Sequence, residues 1–324
     1  MSIAVIGMGN LGSVMASLLA LNAENIGVWD YQPEVITEIN CQHSNQRYLA
    51  DRSLPEAVVA EPSLQVLVNT SEMLFITLSA RFIKPVLSSV AIPTDVALVL
   101  MSKGFSDDAE TAWQCLSRCF PNNPRAMLAG PSLANEMAAG VVTAMVVASE
   151  SEVLRINVAR ALNSQQLSIQ YSTDPVGVEL GGLLKNIYAM GLGLVIEQPL
   201  AGLNFRAAFL TLALVEIKTL GQALGAESES FNGLSGLGDL IATALSEDSH
   251  NRHFGRLLAQ GQSVSEIETE MGVLPEGYIS MPQVLAWVEQ FSLNLPLAAL
   301  IAETVTGGVN SQDFMQRFSA LLKP

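Results

Sequence analysis

The chain has 324 residues, enough for about two domains of ordinary size. Hydrophobic residues make up 49% and charged residues only 15%, and 16 Lys+Arg against 31 Asp+Glu leave a formal charge of −15. A chain this acidic repels phosphate backbones and anionic lipid, which excludes nucleic acid and membrane surfaces as expected partners. Any anionic substrate must be met by a few locally placed cations, so each one is informative.

The mean hydropathy is +0.35. The longest apolar stretches, Ile187–Ile196 and Ala207–Val215, still fall short of the roughly 20 residues that a spanning helix needs. The first basic residue is Arg47, so no positive segment precedes the apolar run Leu11–Leu21, and a signal peptide is not expected. Cys41, Cys115 and Cys119 are odd in number and form no C-x-x-C pair, which suits reduced thiols. His43, His250 and His253 are too scattered for a metal cluster. The expectation is a cytoplasmic, metal-free protein.

Short β-branched runs predict strands at Ser2–Ile6, Ile26–Asp30, Met73–Leu78, Val96–Met101, Arg125–Ala129, Val142–Ala148 and Leu167–Tyr171. Helical patterns lie between several of them, at Leu11–Leu21, Pro33–Asn40, Phe82–Val90, Ala109–Cys119 and Glu152–Asn163. This interleaving predicts an α/β domain with a mostly parallel, doubly wound sheet. After Thr173-Asp174-Pro175 the texture changes and no strand is expected. Asp174 can cap a helix with Pro175 at its first position, continuing for about twenty residues. Further helices are expected at Ala201–Leu224, Leu240–Leu245, Arg252–Ala259, Val264–Glu270, Met281–Phe291 and Pro296–Thr304. The division is therefore 1–173, a dinucleotide-binding domain, and 174–324, an all-helical domain, joined by a tight hinge.

Gly7-Met8-Gly9-Asn10-Leu11-Gly12 follows the first strand and opens the first helix. Gly7 permits the tight turn, Gly9 lets backbone approach a pyrophosphate, and Gly12 lets helix and strand pack closely. The phosphates then meet unpaired N–H groups at the helix N-terminus. Asp30 ends the second strand 18 residues after Gly12, where a carboxylate accepts bonds from the adenosine ribose and repels a 2′-phosphate. The cofactor expected is NAD, with NADP less favoured.

Basic residues are scarce, so Lys103 after a strand and Lys185 inside an apolar helix both stand out. The plain alternatives are a solvated strand-end lysine and a snorkelling helix lysine.

Colinear clusters extend beyond the fingerprint. They are Asn45-Gln46-Arg47-Tyr48-Leu49, Ser102-Lys103-Gly104, Gly130-Pro131-Ser132-Leu133-Ala134-Asn135-Glu136, Gly177-Val178-Glu179-Leu180 and Leu184-Lys185-Asn186. Asn204–Ala208, Gly233–Ile241, Ser249-His250-Asn251-Arg252 and Glu276-Gly277 follow. With these motifs the chain resembles the NAD(P)-dependent glycerol-3-phosphate dehydrogenase family over essentially its full length. The resemblance implies a Rossmann domain followed by an all-α domain like the C-terminal part of 6-phosphogluconate dehydrogenase, with substrate held in the cleft between them. It implies interconversion of dihydroxyacetone phosphate and sn-glycerol 3-phosphate, with Lys185 as proton donor and acceptor, and with Lys103 and Asp239 in the same site.

By the same resemblance Gly130, Ser132, Asn186, Ser249, His250 and Asn251 line the substrate pocket, and Thr243 contributes to phosphate binding. Asn10, Leu11, Lys103, Ala134, His250, Leu274 and Glu276 contact the cofactor, and a homodimer is implied as the possible assembly. The chemistry is sound on its own terms. Hydride transfer to a ketone leaves negative charge on oxygen, which needs a proton and a nearby cation. A lysine beside another lysine exchanges a proton more easily near neutrality, and Asp239 opposes that shift while directing the ammonium.

One departure bears on substrate. His250 stands where the family carries the first arginine of Ser-Arg-Asn-Arg, and an imidazole, mostly neutral at pH 7, lacks the bidentate fork of a guanidinium. His250 with Arg252 or His253 can bind phosphate more weakly. Alternatively the enzyme is a paralogue that reduces another small carbonyl compound. Leu78, Val142 and Leu212 also depart from family habit. A third reading, a non-catalytic dinucleotide-binding sensor, gives no reason to keep Lys103, Lys185 and Asp239 together.

Overall fold

Ile3–Ile6 forms the first strand, β1, and all four residues are buried. Burial on both faces is what a central parallel strand requires, because connecting helices cover each side. The computed structural model describes residues 2–50 and 52–323. After β1 come α1 (Asn10–Leu19), β2 (Ile26–Trp29), α2 (Pro33–Gln42), β3 (Val58–Ala60), α3 (Leu64–Asn69) and β4 (Met73–Ile76). The chain continues through α4 (Ala80–Leu87), β5 (Ala97–Leu100), α5 (Ala112–Cys119), β6 (Arg125–Ala129) and α6 (Ala134–Ala138). Then follow β7 (Thr143–Ala148), α7 (Glu152–Leu162) and β8 (Leu167–Ser172).

The strands form one eight-stranded sheet in the order β3-β2-β1-β4-β5-β6-β7-β8. Every neighbouring pair is parallel except β6 with β7. Ile3 lies opposite Ile26 on one side and Met73 on the other. Strand order reverses between β1 and β4, and a sheet of this kind leaves its ligand crevice outside the carboxyl ends at that switch point. The loop Gly7–Gly9 and residue Thr77 occupy those two ends.

The doubly wound sheet matches the expectation from the sequence, with differences that have local causes. Strand β3 has three residues, too few to show alternation, and the single-turn α6 is equally illegible. Helix α5 begins at Ala112, where Thr111 and Gln114 form a capping box, and not at Ala109, whose φ of +59° no right-handed helix accommodates.

The chain divides into two compact units, the first ending at Pro175 and the second starting at Val176. All but the first residue of α8 (Pro175–Gly193) belongs to the second, which continues with α9 (Leu203–Ala223), a 3-10 turn (Ser228–Asn232), a π turn (Leu234–Gly238) and α10 (Asp239–Leu245). Next come α11 (His250–Ala259), α12 (Val264–Met271), α13 (Glu276–Gln290), α14 (Pro296–Val305) and α15 (Ser311–Leu321). No strand occurs among its described residues.

Helix α8 is apolar nearly all round and buried along most of its length, so it forms the centre of this unit. Helix α13 begins at Glu276 and carries Pro282 in its interior, whereas the sequence suggested a start at Met281. Helix α15 was not expected, since its composition is largely polar. It is anchored by Phe314 and Phe318, four residues apart, which pack on Phe209 of α9 with ring centroids 6.5 and 5.7 Å away. Truncating Phe209 to Ala removes the centre of that cluster, at a cost of about 3–5 kcal/mol.

Candidate active site

The glycine fingerprint is built as a strand–turn–helix. Gly7 has a φ of +98°, a backbone state that L side chains rarely adopt. Gly12 is held so close that a Cβ there would lie 1.9 Å from the Gly7 carbonyl oxygen. Thr77 Oγ1 donates to that same oxygen at 2.6 Å, tying β4 to the turn. Gly9 occupies the N-cap position of α1, which no side chain caps, and a Cβ there would meet no atom within 4 Å. A bare, uncapped helix N-terminus with open space over Gly9 fits a dinucleotide pyrophosphate.

Asp30, at the end of β2, is buried and accepts two backbone N–H groups, Met8 N at 2.8 Å and Gln32 N at 3.0 Å. Each carboxylate oxygen keeps a second lone pair, so ribose hydroxyls remain within its capacity. Asn10 Nδ2 reaches Asn135 Oδ1 at 3.4 Å, which brings the start of α1 beside Ala134, the first residue of α6. Leu11 is half-buried on the first turn of α1. Lys103 follows β5 and is half-buried. Gly130 and Ser132 follow β6, and Ser132 Oγ donates to Gly130 O at 3.0 Å. These residues all stand at the carboxyl ends of parallel strands.

In the second unit Lys185 is buried in α8, with its side chain 8% exposed. Its Nζ donates to Asp239 Oδ1 and to Thr243 Oγ1, the latter at 2.6 Å. The glycines of the Gly233–Asp239 segment explain how Asp239 gets there. A Cβ on Gly181 of α8 would lie 2.3 Å from the Ser235 carbonyl, so the π turn packs backbone to backbone against α8. That contact sets Asp239, the first residue of α10, opposite Lys185. Thr243, expected at the phosphate, places its hydroxyl on Lys185.

Asn186, next to Lys185, accepts Asn251 Nδ2 at 3.0 Å, and Asn251 Oδ1 accepts Gly277 N at 2.7 Å. This chain of amides connects α8, α11 and the start of α13, where Glu276 stands half-buried as the first residue and Leu274 two positions before it. Ser249 caps α11 by accepting Arg252 N at 3.3 Å. His250 is the first residue of α11 and is exposed. Arg252 does not stand in for an arginine at 250. Its Nη1 donates to Leu245 O and Ser246 O at 2.8 and 3.0 Å, and its Nη2 pairs with Glu247 at 2.6 Å. It caps the carbonyl end of α10. His253 Nδ1 lies 2.8 Å from Arg256 and faces that arginine instead.

Sequence reasoning overlooked Thr77, and it overlooked Glu216, which holds Tyr188 one turn along α8 from Lys185. Both are single polar residues in apolar surroundings, a faint signal that only contacts make specific.

Two family descriptions match the chain, together covering most of it. "NAD-dependent glycerol-3-phosphate dehydrogenase N-terminus" matches residues 2–154 and "NAD-dependent glycerol-3-phosphate dehydrogenase C-terminus" matches residues 174–316. The chain belongs to this dehydrogenase family. A glycerol-3-phosphate dehydrogenase [NAD(P)+] of Leptothrix cholodnii is 34% identical over 97% of this chain and 96% of its own length. That of Photorhabdus laumondii is 32% identical over 93% and 89%. The crystal structure of the Coxiella burnetii glycerol-3-phosphate dehydrogenase superposes with a TM-score of 0.89 at 28% identity, covering 100% of this chain and 99% of that one. As a family member the chain is an NAD(P)-dependent oxidoreductase with its dinucleotide-binding domain in the first unit.

Proposed function

We propose that this protein interconverts dihydroxyacetone phosphate and sn-glycerol 3-phosphate, with Lys185 as the general acid and base. The observation that carries the reading is the buried Lys185, held by Asp239 and Thr243. A nicotinamide held by the first unit would supply the hydride in reduction and accept it in oxidation. Lys185 Nζ donates a proton to the carbonyl oxygen as negative charge develops there, and recovers it from the hydroxyl in the reverse direction. Asp239 and Thr243 both accept hydrogen bonds from Nζ, which fixes the direction of the ammonium group. Lys103 adds a second cation that holds substrate and touches the cofactor.

Gly130, Ser132, Asn186, Ser249, His250 and Asn251 complete the substrate contacts in this reading. Asn251 serves it chiefly by positioning, since its amide already links Asn186 to Gly277. Gly7, Gly9, Asn10, Leu11, Gly12, Asp30, Ala134, Leu274 and Glu276 hold the cofactor, and Asp30 favours NAD over NADP. Residues 1–173 and 174–324 are the proposed domains. The free cysteines support a cytoplasmic enzyme, and exposed Leu200 and Leu203 on the second unit support a homodimer.

A second reading is favoured by one observation, the capture of the Arg252 guanidinium by α10. With His250 at the arginine position, a different small carbonyl compound is then the better substrate. Both readings are tested by following NADH oxidation with dihydroxyacetone phosphate and a panel of non-phosphorylated ketones. The first expects turnover with the phosphorylated ketone and a loss of about a thousandfold in kcat in Lys185→Ala, with NADH still bound. Turnover with a non-phosphorylated ketone alone would establish the second. A Lys185→Ala protein with native turnover would end both.

A further inference from the structure

Met8, the middle residue of Gly7-Met8-Gly9, has both of its backbone polar groups held by side chains from elsewhere. Its N–H donates to Asp30 Oδ2 at 2.8 Å. Its carbonyl accepts Asn45 Nδ2 at 2.7 Å and, less closely, Ser13 Oγ at 3.3 Å. Asn45 Nδ2 also donates to Ser13 Oγ at 2.9 Å, and Asn45 is wholly buried beyond the end of α2. One short segment of the chain thus reaches back 37 residues to a single carbonyl in the turn.

The orientation of that carbonyl matters because the peptide bond is planar and trans. The Met8 C=O and the Gly9 N–H belong to one peptide unit and point in opposite directions. While Asn45 holds the carbonyl inward, the Gly9 N–H is turned outward at the N-terminus of α1, where an anion is received. A flipped peptide would present a carbonyl oxygen to the phosphates instead. Glycines flank Met8 on both sides and offer little intrinsic resistance to such a flip.

We propose that Asn45 is a positioning residue for dinucleotide binding, which fixes the Met8–Gly9 peptide so that its N–H faces the pyrophosphate. The inference rests on the cofactor site of the proposed function and adds a residue that lies outside it. Its effect is on affinity for the dinucleotide and not on the proton transfer at Lys185.

The test is fluorescence titration of the purified full-length protein with NADH, which reads binding without turnover, alongside kcat at saturating NADH. Asn45→Ala is expected to raise the NADH Kd by about tenfold, the effect of losing one well-placed buried hydrogen bond, with kcat within about twofold of native. Asn123→Ala is the control. Asn123 is a buried asparagine of the same unit whose Nδ2 donates to Pro93 O at 2.7 Å and Val96 O at 2.9 Å, away from the turn. It is expected to change Kd by less than about twofold. A folded Asn45→Ala protein that binds NADH as natively, or no more weakly than Asn123→Ala, overturns the inference. If Asn45→Ala does not fold, Ser13→Ala decides: about a threefold weaker Kd supports the inference and an unchanged one overturns it. Failure of the unsubstituted protein to bind NADH at all would overturn the proposed function itself, and this inference with it.

Discussion

The Tyr188 hydroxyl donates to Glu216 Oε2 at 3.0 Å inside the helical unit. The same carboxylate accepts Leu297 N at 2.6 Å and Ala298 N at 2.9 Å, so it caps the start of α14 from another helix. Tyr188 lies one turn beyond Lys185 on α8, so the cap also ties α14 to the helix that carries the proposed acid. Burial raises the Glu216 carboxyl above its ordinary 4.5, and its three donors oppose but do not cancel that rise. Burial likewise raises the Tyr188 hydroxyl well above its ordinary value, with the neighbouring carboxylate adding to the effect.

A raised carboxyl binds its proton more tightly in the folded state than in the unfolded chain. Its stabilising contribution is therefore full below about pH 4.5 and is lost as pH rises through the higher folded value. Glu216→Gln removes that dependence, so the stability difference between native and variant should shrink as pH rises from about 4 towards neutrality. Denaturant melts at a series of pH values measure it. A difference that stays constant with pH would show that Glu216 does not titrate in this way.

Gly9 and Gly12 are both fingerprint glycines, yet their surroundings demand opposite outcomes. A Cβ at Gly9 meets nothing within 4 Å, whereas one at Gly12 would lie 1.9 Å from Gly7 O. Gly9→Ala should melt within about 1 kcal/mol of native stability but bind NADH markedly more weakly. Gly12→Ala should lose stability as well, by about 3 kcal/mol or more, because backbone must move. Thermal melts paired with NADH titrations separate the two, and equal melting points would contradict this account.

Asp30 has a structural duty besides its proposed contact with ribose. Replacing it by Asn leaves one acceptor for two backbone N–H groups and removes the negative charge. Asp30→Asn should weaken NADH binding by roughly tenfold and shift the ratio of affinities towards NADPH. Parallel titrations with the two reduced cofactors give the ratio. An unchanged preference would mean that the carboxylate does not select at the 2′ position.

His250 is exposed at the first position of α11, and the guanidinium of its neighbour Arg252 is engaged at the end of α10. His250→Arg should lower KM for dihydroxyacetone phosphate by about tenfold, with a smaller change in kcat, as expected when a charged bidentate contact is restored. Steady-state kinetics on the phosphorylated ketone checks it. No gain in KM would favour the reading in which the substrate carries no phosphate.

The dinucleotide fingerprint, the alternation of strands and helices and the change of texture after Pro175 could all be read along the chain. Each depends on local stereochemistry: backbone freedom at glycine, periodicity of side chains, and a proline that opens a helix. Family motifs likewise named Lys185 and Asp239. Strand β3, helix α6 and helix α15 were not legible, because three-residue strands, single helical turns and polar helices are selected by their neighbours. Phe314 and Phe318 define α15 only once Phe209 is there to receive them.

The charge count behaved the same way. By itself the sequence determined that basic groups are few, that nucleic acid is a poor partner, and that a histidine stands at an arginine position. Only the tertiary structure decided how those groups are used. It committed Arg252 to the end of α10, set Lys185 between Asp239 and Thr243, and brought Asn45 under the Met8 carbonyl. Hydrogen bonds between residues tens of positions apart depend on where the chain folds back, and no local pattern of residues encodes that.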